Sequence, residues 1–201
     1  MTTQITSDSL LQLIQARRTC YQFADITQYP VADVDLYLCL EAARWAPNHK
    51  LTQPWRFWIV GEESKQALAH IYAENRALKR ADKSTDCFKE IYDKAILKFM
   101  SIPKIVLVGQ ILNNDPTILK EDYAACACAI QNFQLMAWSF KLGVQWSTGP
   151  ILKDERTMNK LNIDSNAIEL IGALYIGHHK PDCQKANSKR EPLETFITLI
   201  D

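Results

Sequence analysis

The 201-residue sequence predicts an α+β chain in which a sheet is sandwiched by helices. Three stretches carry that expectation. "KIVLVGQIL", from Lys104, is continuous and β-branched, as in a central strand covered on both faces. "SKQALAHIYAENRALKR" places apolar residues at helical spacing. "LKEDYAACACAIQNFQLMAWSFKLG", Leu119 to Gly143, is a long helix, apolar nearly all round, whose alanines and cysteines let another backbone approach closely.

The remaining elements follow in order. Ser7 or Asp8 caps a first helix whose apolar positions Leu10, Leu11, Leu13 and Ile14 lead to Arg17 and Arg18. A second helix runs from about Asp33 to Trp45, with Val34, Leu38 and Ala42 on one stripe, and Pro47 stops it. "RFWIV" has the composition of a buried strand, and "FKEIYDKAILKFM" that of another helix. Gly143 is the expected left-handed stop of the long helix. A short strand around Val144, the turn "STGP", a small helix and the strand "AIELIGALYIG" come next. The tail "KREPLETFITLID" closes on an apolar, β-branched piece. With no repeat, low-complexity tract or linker, residues 1–201 are expected to form one domain.

Bulk properties exclude several classes. With 23 basic and 23 acidic side chains the net charge is zero, which argues against a nucleic-acid protein. It also gives little colloidal protection near neutral pH, as in a protein whose surface is partly buried in an oligomer. The N-terminus has no basic region ahead of its short apolar run, so it does not resemble a signal peptide, and nothing approaches a membrane span. The six cysteines (Cys20, Cys39, Cys87, Cys126, Cys128 and Cys183) form no C-x-x-C pair. Cys126 and Cys128, two apart on a helix, point to different faces. Buried free thiols and a reducing cytoplasmic compartment are the expectation.

No Gly-x-Gly-x-x-Gly, Walker A or Gly-x-Ser-x-Gly pattern is present. The four histidines lack metal-ligand spacing, and His178 and His179 on a strand would face opposite ways. Three polar clusters remain. "RRT", Arg17 to Thr19, ends a helix, where cations compensate the dipole; two guanidinium forks and a hydroxyl can also grip a phosphate. "NHKLTQ", Asn48 to Gln53, has the composition of a solvated loop, yet it runs straight from a helix end into Pro-Trp and an apolar strand. "WSTGP", Trp146 to Pro150, is an ordinary turn or one that offers bare backbone N–H groups to a ligand.

The order of these clusters is distinctive. An arginine pair plus hydroxyl, then "APNHKLTQPWRF", a "WSTG" turn after a long helix and a basic "KREPL" tail together resemble the FMN-dependent nitroreductase family. The resemblance runs from Leu10 to the C-terminus and is closest to the subgroup carrying "APNHK" or "APDHK" before "QPW". It implies a central, mainly antiparallel sheet sandwiched by helices, and an interlocked homodimer with FMN at the subunit interface. Arg17, Arg18 and Thr19 would hold the phosphate and ribityl chain, and Arg190 with Lys189 would complete the grip. His49 and Gln53 would lie beside the polar edge of the ring. Trp146, Ser147 and Thr148 of the neighbouring subunit would cover it, with a backbone N–H near Thr148–Gly149 at N5. The long helix would form the dimer core and "TFITLI" would extend over the partner.

The implied activity is NAD(P)H-dependent: a donor and a nitroaromatic, quinone or enone acceptor would use one cleft in turn, in a ping-pong cycle. No side chain is assigned as a catalytic acid or nucleophile, because the flavin carries the redox chemistry. Two alternatives are a flavin carrier or sensor without turnover, and a relative that dehalogenates or fragments flavin. The chain departs from the common family pattern at Tyr21, Leu51 and Ser188, where many members carry a basic residue, Asn and a basic residue.

Overall fold

The structure, a computed structural model, describes residues 6–180 and 188–200. Its sheet has four strands in the order β1-β2-β4-β3: β1 (Trp55–Ile59), β2 (Lys104–Ile111), β3 (Leu142–Ser147) and β4 (Ile168–His178). All pairings are antiparallel. The helices are α1 (Ser7–Ala16), α2 (Asp33–Arg44), α3 (Glu62–Leu78), α4 (Asp86–Met100), α5 (Pro116–Ser139) and α6 (Glu155–Lys160).

Strand alternation divides the core in two. Val106, Val108, Val144, Leu174 and Ile176 point to one face and pack with α2 and α5. Ile105, Leu107, Ala173 and Tyr175 point to the other and pack with α3 and α4. The expected central strand is β2, buried over all but its end residues between β1 and β4. The small-residue helix is α5, which buries Ala125, Cys126, Ala129, Phe133 and Ala137. Gln110, fully buried on β2, donates from Nε2 to the Leu119 carbonyl at 2.6 Å and so ties α5 to the sheet.

Several local expectations are corrected. The α1 cap is Thr6, whose hydroxyl accepts from Ser9 N at 3.2 Å; three capping residues in a row left the choice to tertiary context. On α2 the buried stripe is Leu36, Cys39 and Ala43, while Val34 and Leu38 are exposed. The strand β1 is an edge, bonded only to β2, and Arg56 and Ile59 remain exposed. Gly143 does not stop α5: Lys141 takes the left-handed conformation (φ 60°), and Gly143 lies within β3. Glycine is needed there for room, since a Cβ would sit 2.4 Å from the Cys20 Cβ. Cys20, Cys39 and Cys126 are buried, Cys87 and Cys128 are exposed, and Cys183 lies outside the described residues. Burial pushes the Cys39 and Cys126 thiols up to about 12, which makes them inert as nucleophiles.

A cation-rich cleft at the free edge of the sheet

After α1 the chain crosses the free edge of β3. Thr19 bridges to Val144, Cys20 N donates to the Val144 carbonyl at 3.2 Å, and Ala24 N donates to His178 O at 2.9 Å. The bare backbone of Gly143 admits Cys20 at this crossing, so the sequence fixes where the arginines stand. Arg17, the residue that ends α1, is half-buried and reaches Gln134 of α5 at 3.5 Å. Among the described residues Arg18 bonds only backbone carbonyls, those of Gln15 and Arg17. Arg190 bonds the carbonyl of Lys189. Among the described residues no carboxylate lies within 4.0 Å of any of these three guanidiniums or of Lys189. Burial, then the neighbouring charges of Arg18 and Arg190, lowers the proton affinity of Arg17. Like charges are thus gathered and partly desolvated without an internal counter-ion, an arrangement that an incoming anion relieves.

Beside the crossing, on the α3 face, lies a cavity of about 670 Å³. Tyr21 and Phe23 form one side, Ser147 and Gly149 another, and Tyr175 lines it from β4. The Tyr175 hydroxyl is buried and has no well-formed hydrogen bond among the described residues; burial holds its pKa at about 12, with the adjacent Ser147 hydroxyl pulling the other way. An orphaned buried hydroxyl costs roughly 1–3 kcal/mol, so this one suits a ligand or water that bonds it. Thr148 is exposed at the same turn. Trp146 is different. Alternation sends its side chain to the α5 face, where it covers Gly172 and donates from Nε1 to the Ile171 carbonyl at 3.3 Å. The structure therefore brings Ser147 and Gly149 to the cavity and turns Trp146 away from it.

The polar loop 48–53 is not slack. Lys50, Leu51 and Gln53 all have left-handed backbones (φ 51°, 54° and 46°), each costing on the order of 1 kcal/mol. Hydrogen bonds hold the loop: His49 Nδ1 donates to Glu121 Oε2 at 2.7 Å, Thr52 Oγ1 to Asp122 Oδ1 at 2.7 Å, and Gln53 N to Asn48 Oδ1 at 3.0 Å. The Thr52 anchor Asp122 and the Arg17 partner Gln134 stand twelve residues apart on α5, roughly 18 Å of helix. Within one protomer the loop bearing His49 and Gln53 is anchored well apart from Arg17, while Ser147 and Gly149 line the cavity beside the crossing that follows the arginines.

Sequence reasoning missed the α3 wall of the cavity: Asn75, Arg76, Lys79 and Arg80, with Lys98 of α4 facing them. Cations in the last turns of helices look like dipole compensation, and only the cavity marks them as more.

An antiparallel sheet between two helical layers, with a cavity beside its edge and guanidiniums that have no carboxylate in reach among the described residues, defines an α+β protein with a cation-rich edge. The chain belongs to the nitroreductase family, whose family model matches residues 14–178. It is 29% identical over 98% of its length to YfhC of Bacillus subtilis, provisionally named an NAD(P)H nitroreductase, and covers 97% of that protein. The fold is similar to that of a nitroreductase-like family protein from Bacillus cereus, with a TM-score of 0.77 at 26% identity, covering 100% of this chain and 99% of that one. A Desulfovibrio desulfuricans protein solved in complex with FMN gives a TM-score of 0.71 at 24% identity, covering 98% of this chain and 99% of that one.

Proposed function

We propose that the protein is an NAD(P)H-dependent FMN oxidoreductase, with donor and nitroaromatic, quinone or enone acceptor using one cleft in turn. The carrying observation is the gathering of Arg17, Arg18 and Arg190 with no carboxylate in reach among the described residues. FMN brings about two negative charges on its phosphate, which matches that set in sign and in hydrogen-bond geometry. Bound FMN supplies hydride acceptance and donation, chemistry that no side chain can provide.

The chain's own residues bind, orient and exclude water. Arg17, Arg18, Thr19 and Arg190 hold the phosphate and ribityl portion, with Lys189 beside them. Ser147, Thr148 and Gly149 present hydroxyls and backbone N–H groups to the ring. His49 and Gln53, remote from the arginines of their own protomer, serve the cleft of a partner in a homodimer. Exposed apolar surface supports that assembly: Phe196 is 70% exposed, Leu199 89% and Ile200 91%, and α1 buries nothing.

The purified protein, supplied with FMN, is expected to be yellow and to be bleached by NADH or NADPH without oxygen. A protein that takes up no FMN ends this reading. Sedimentation is expected to give a dimer, and a monomer that still binds FMN would remove the role given to His49 and Gln53.

A further inference from the structure

The cavity carries a second, separate set of cations. Arg76, Lys79 and Arg80 of the α3 C-terminal region, Lys98 of α4 and Lys180 after β4 all line it, and no Asp or Glu does. In a chain with equal numbers of acidic and basic side chains, that is a strong segregation. Helix-dipole compensation explains cations at the ends of α3 and α4 but not the exclusion of every carboxylate from the lining. Arg76, Lys79 and Arg80 stand at i, i+3 and i+4 and so share one helical face. Among the described residues none of the five is within 4.0 Å of a carboxylate; Arg76 reaches only the Tyr72 hydroxyl, at 3.4 Å.

One cofactor phosphate cannot satisfy both cation sets. Arg17 reaches α5 on one face of the sheet, while this wall belongs to α3 and α4 on the other. We propose that the α3–α4 wall anchors the anionic group of the second ligand, a co-substrate bearing a phosphomonoester or a carboxylate. The inference rests on the FMN reading above for the identity of the cycle, but not for the charge of the wall. Two sources supply the chemistry: the 2′-phosphate of NADPH, or an acceptor with an acidic substituent. A concave cationic surface also concentrates such ligands from solution, an effect that salt screens.

Calorimetric titration of the FMN-loaded protein with two probe pairs separates the sources: adenosine 2′,5′-bisphosphate against AMP, and 4-nitrobenzoate against 4-nitrobenzamide. FMN content is read from the absorbance beforehand. In at least one pair the more highly charged member should bind roughly tenfold tighter, and Arg80→Gln/Lys98→Gln should abolish that preference while FMN content stays unchanged. A preference confined to the nucleotide pair assigns the wall to the donor; one in the nitrobenzoate pair assigns it to the acceptor. Equal binding within both pairs, or a preference that survives the double substitution, overturns the proposal. If the protein holds no FMN, the cofactor reading fails, and the same titrations on the cofactor-free chain still judge the wall.

Discussion

Two clusters of guanidinium groups in this molecule are built on opposite plans. Around Arg156 every charge is matched. Its Nη2 meets Asp154 at 2.7 Å, its Nη1 meets Glu74, Lys83 reaches Glu74 at 2.5 Å, and Asn75 donates to Asp154 at 2.8 Å. The consequence is mutual: Arg156 holds its proton more tightly than a free arginine, and hydrogen bonds from Arg156 hold the Asp154 carboxyl down at about 2. Around Arg17 no carboxylate is in reach among the described residues, its one side-chain partner there is the neutral Gln134, and the shift runs the other way. The first cluster fastens α6 to α3, whereas Arg17, Arg18 and Arg190 are brought together with no carboxylate in reach among the described residues, which is the arrangement the proposed anion site needs.

The comparison breaks most readily at Arg17. Arg17→Ala is expected to weaken FMN binding by about 100-fold, near 2.7 kcal/mol, measured by quenching of flavin fluorescence. The cofactor-free variant should melt no lower than the parent, because a half-buried cation among like charges has been removed. A cofactor-free protein that loses stability would show that Arg17 serves the fold instead. Arg156→Ala should do the opposite. Denaturant unfolding of the cofactor-free protein is expected to lose about 1–2 kcal/mol, since Glu74 keeps Lys83 and Asp154 keeps Asn75 and the backbone N–H at 156 but neither keeps a guanidinium, and FMN affinity should stay within about twofold.

What the sequence made legible follows the same division. The strands β2 and β4 and the helix α5 are long, apolar and buried, so their pattern is set by the core they enter. The arginines were visible because they stand in a fixed order with the "QPW" loop. Contacts between distant segments were not visible. Gly143 suits a helix stop by composition, and only the arrival of Cys20 across β3 shows that space is its purpose. The second helix has apolar residues on two faces, so its pattern alone could not tell the core stripe of Leu36 and Cys39 from the outer one of Val34 and Leu38. Trp146 and Ser147 were grouped as neighbours in a turn, whereas the period of two in β3 sends them to opposite faces. The wall of Arg76, Lys79 and Arg80 belongs to a helix whose exposed end looks ordinary until α4 and the β3 turn close a cavity over it.

The matched cluster can be probed more finely through acid. Asp154 has its pKa lowered from an ordinary 3.8 to about 2 by Arg156, Asn75 and the Arg156 backbone. A depressed carboxyl binds fewer protons folded than unfolded, so its stabilisation is complete above the unfolded value and drains as pH falls through the folded one. The window is therefore pH 4 down to about 2. Because Arg156 is half-exposed and screened by water, the net contribution should be about 1 kcal/mol. Asp154→Asn removes the titrating group while keeping an acceptor for the Arg156 N–H that caps α6. Unfolding free energies from urea titrations of parent and variant should differ by that amount at neutral pH and converge as pH falls to about 2. A gap that persists unchanged into acid would mean that Asp154 acts through its cap and its shape, and that the charge matching around Arg156 adds nothing to the hold of α6 on α3.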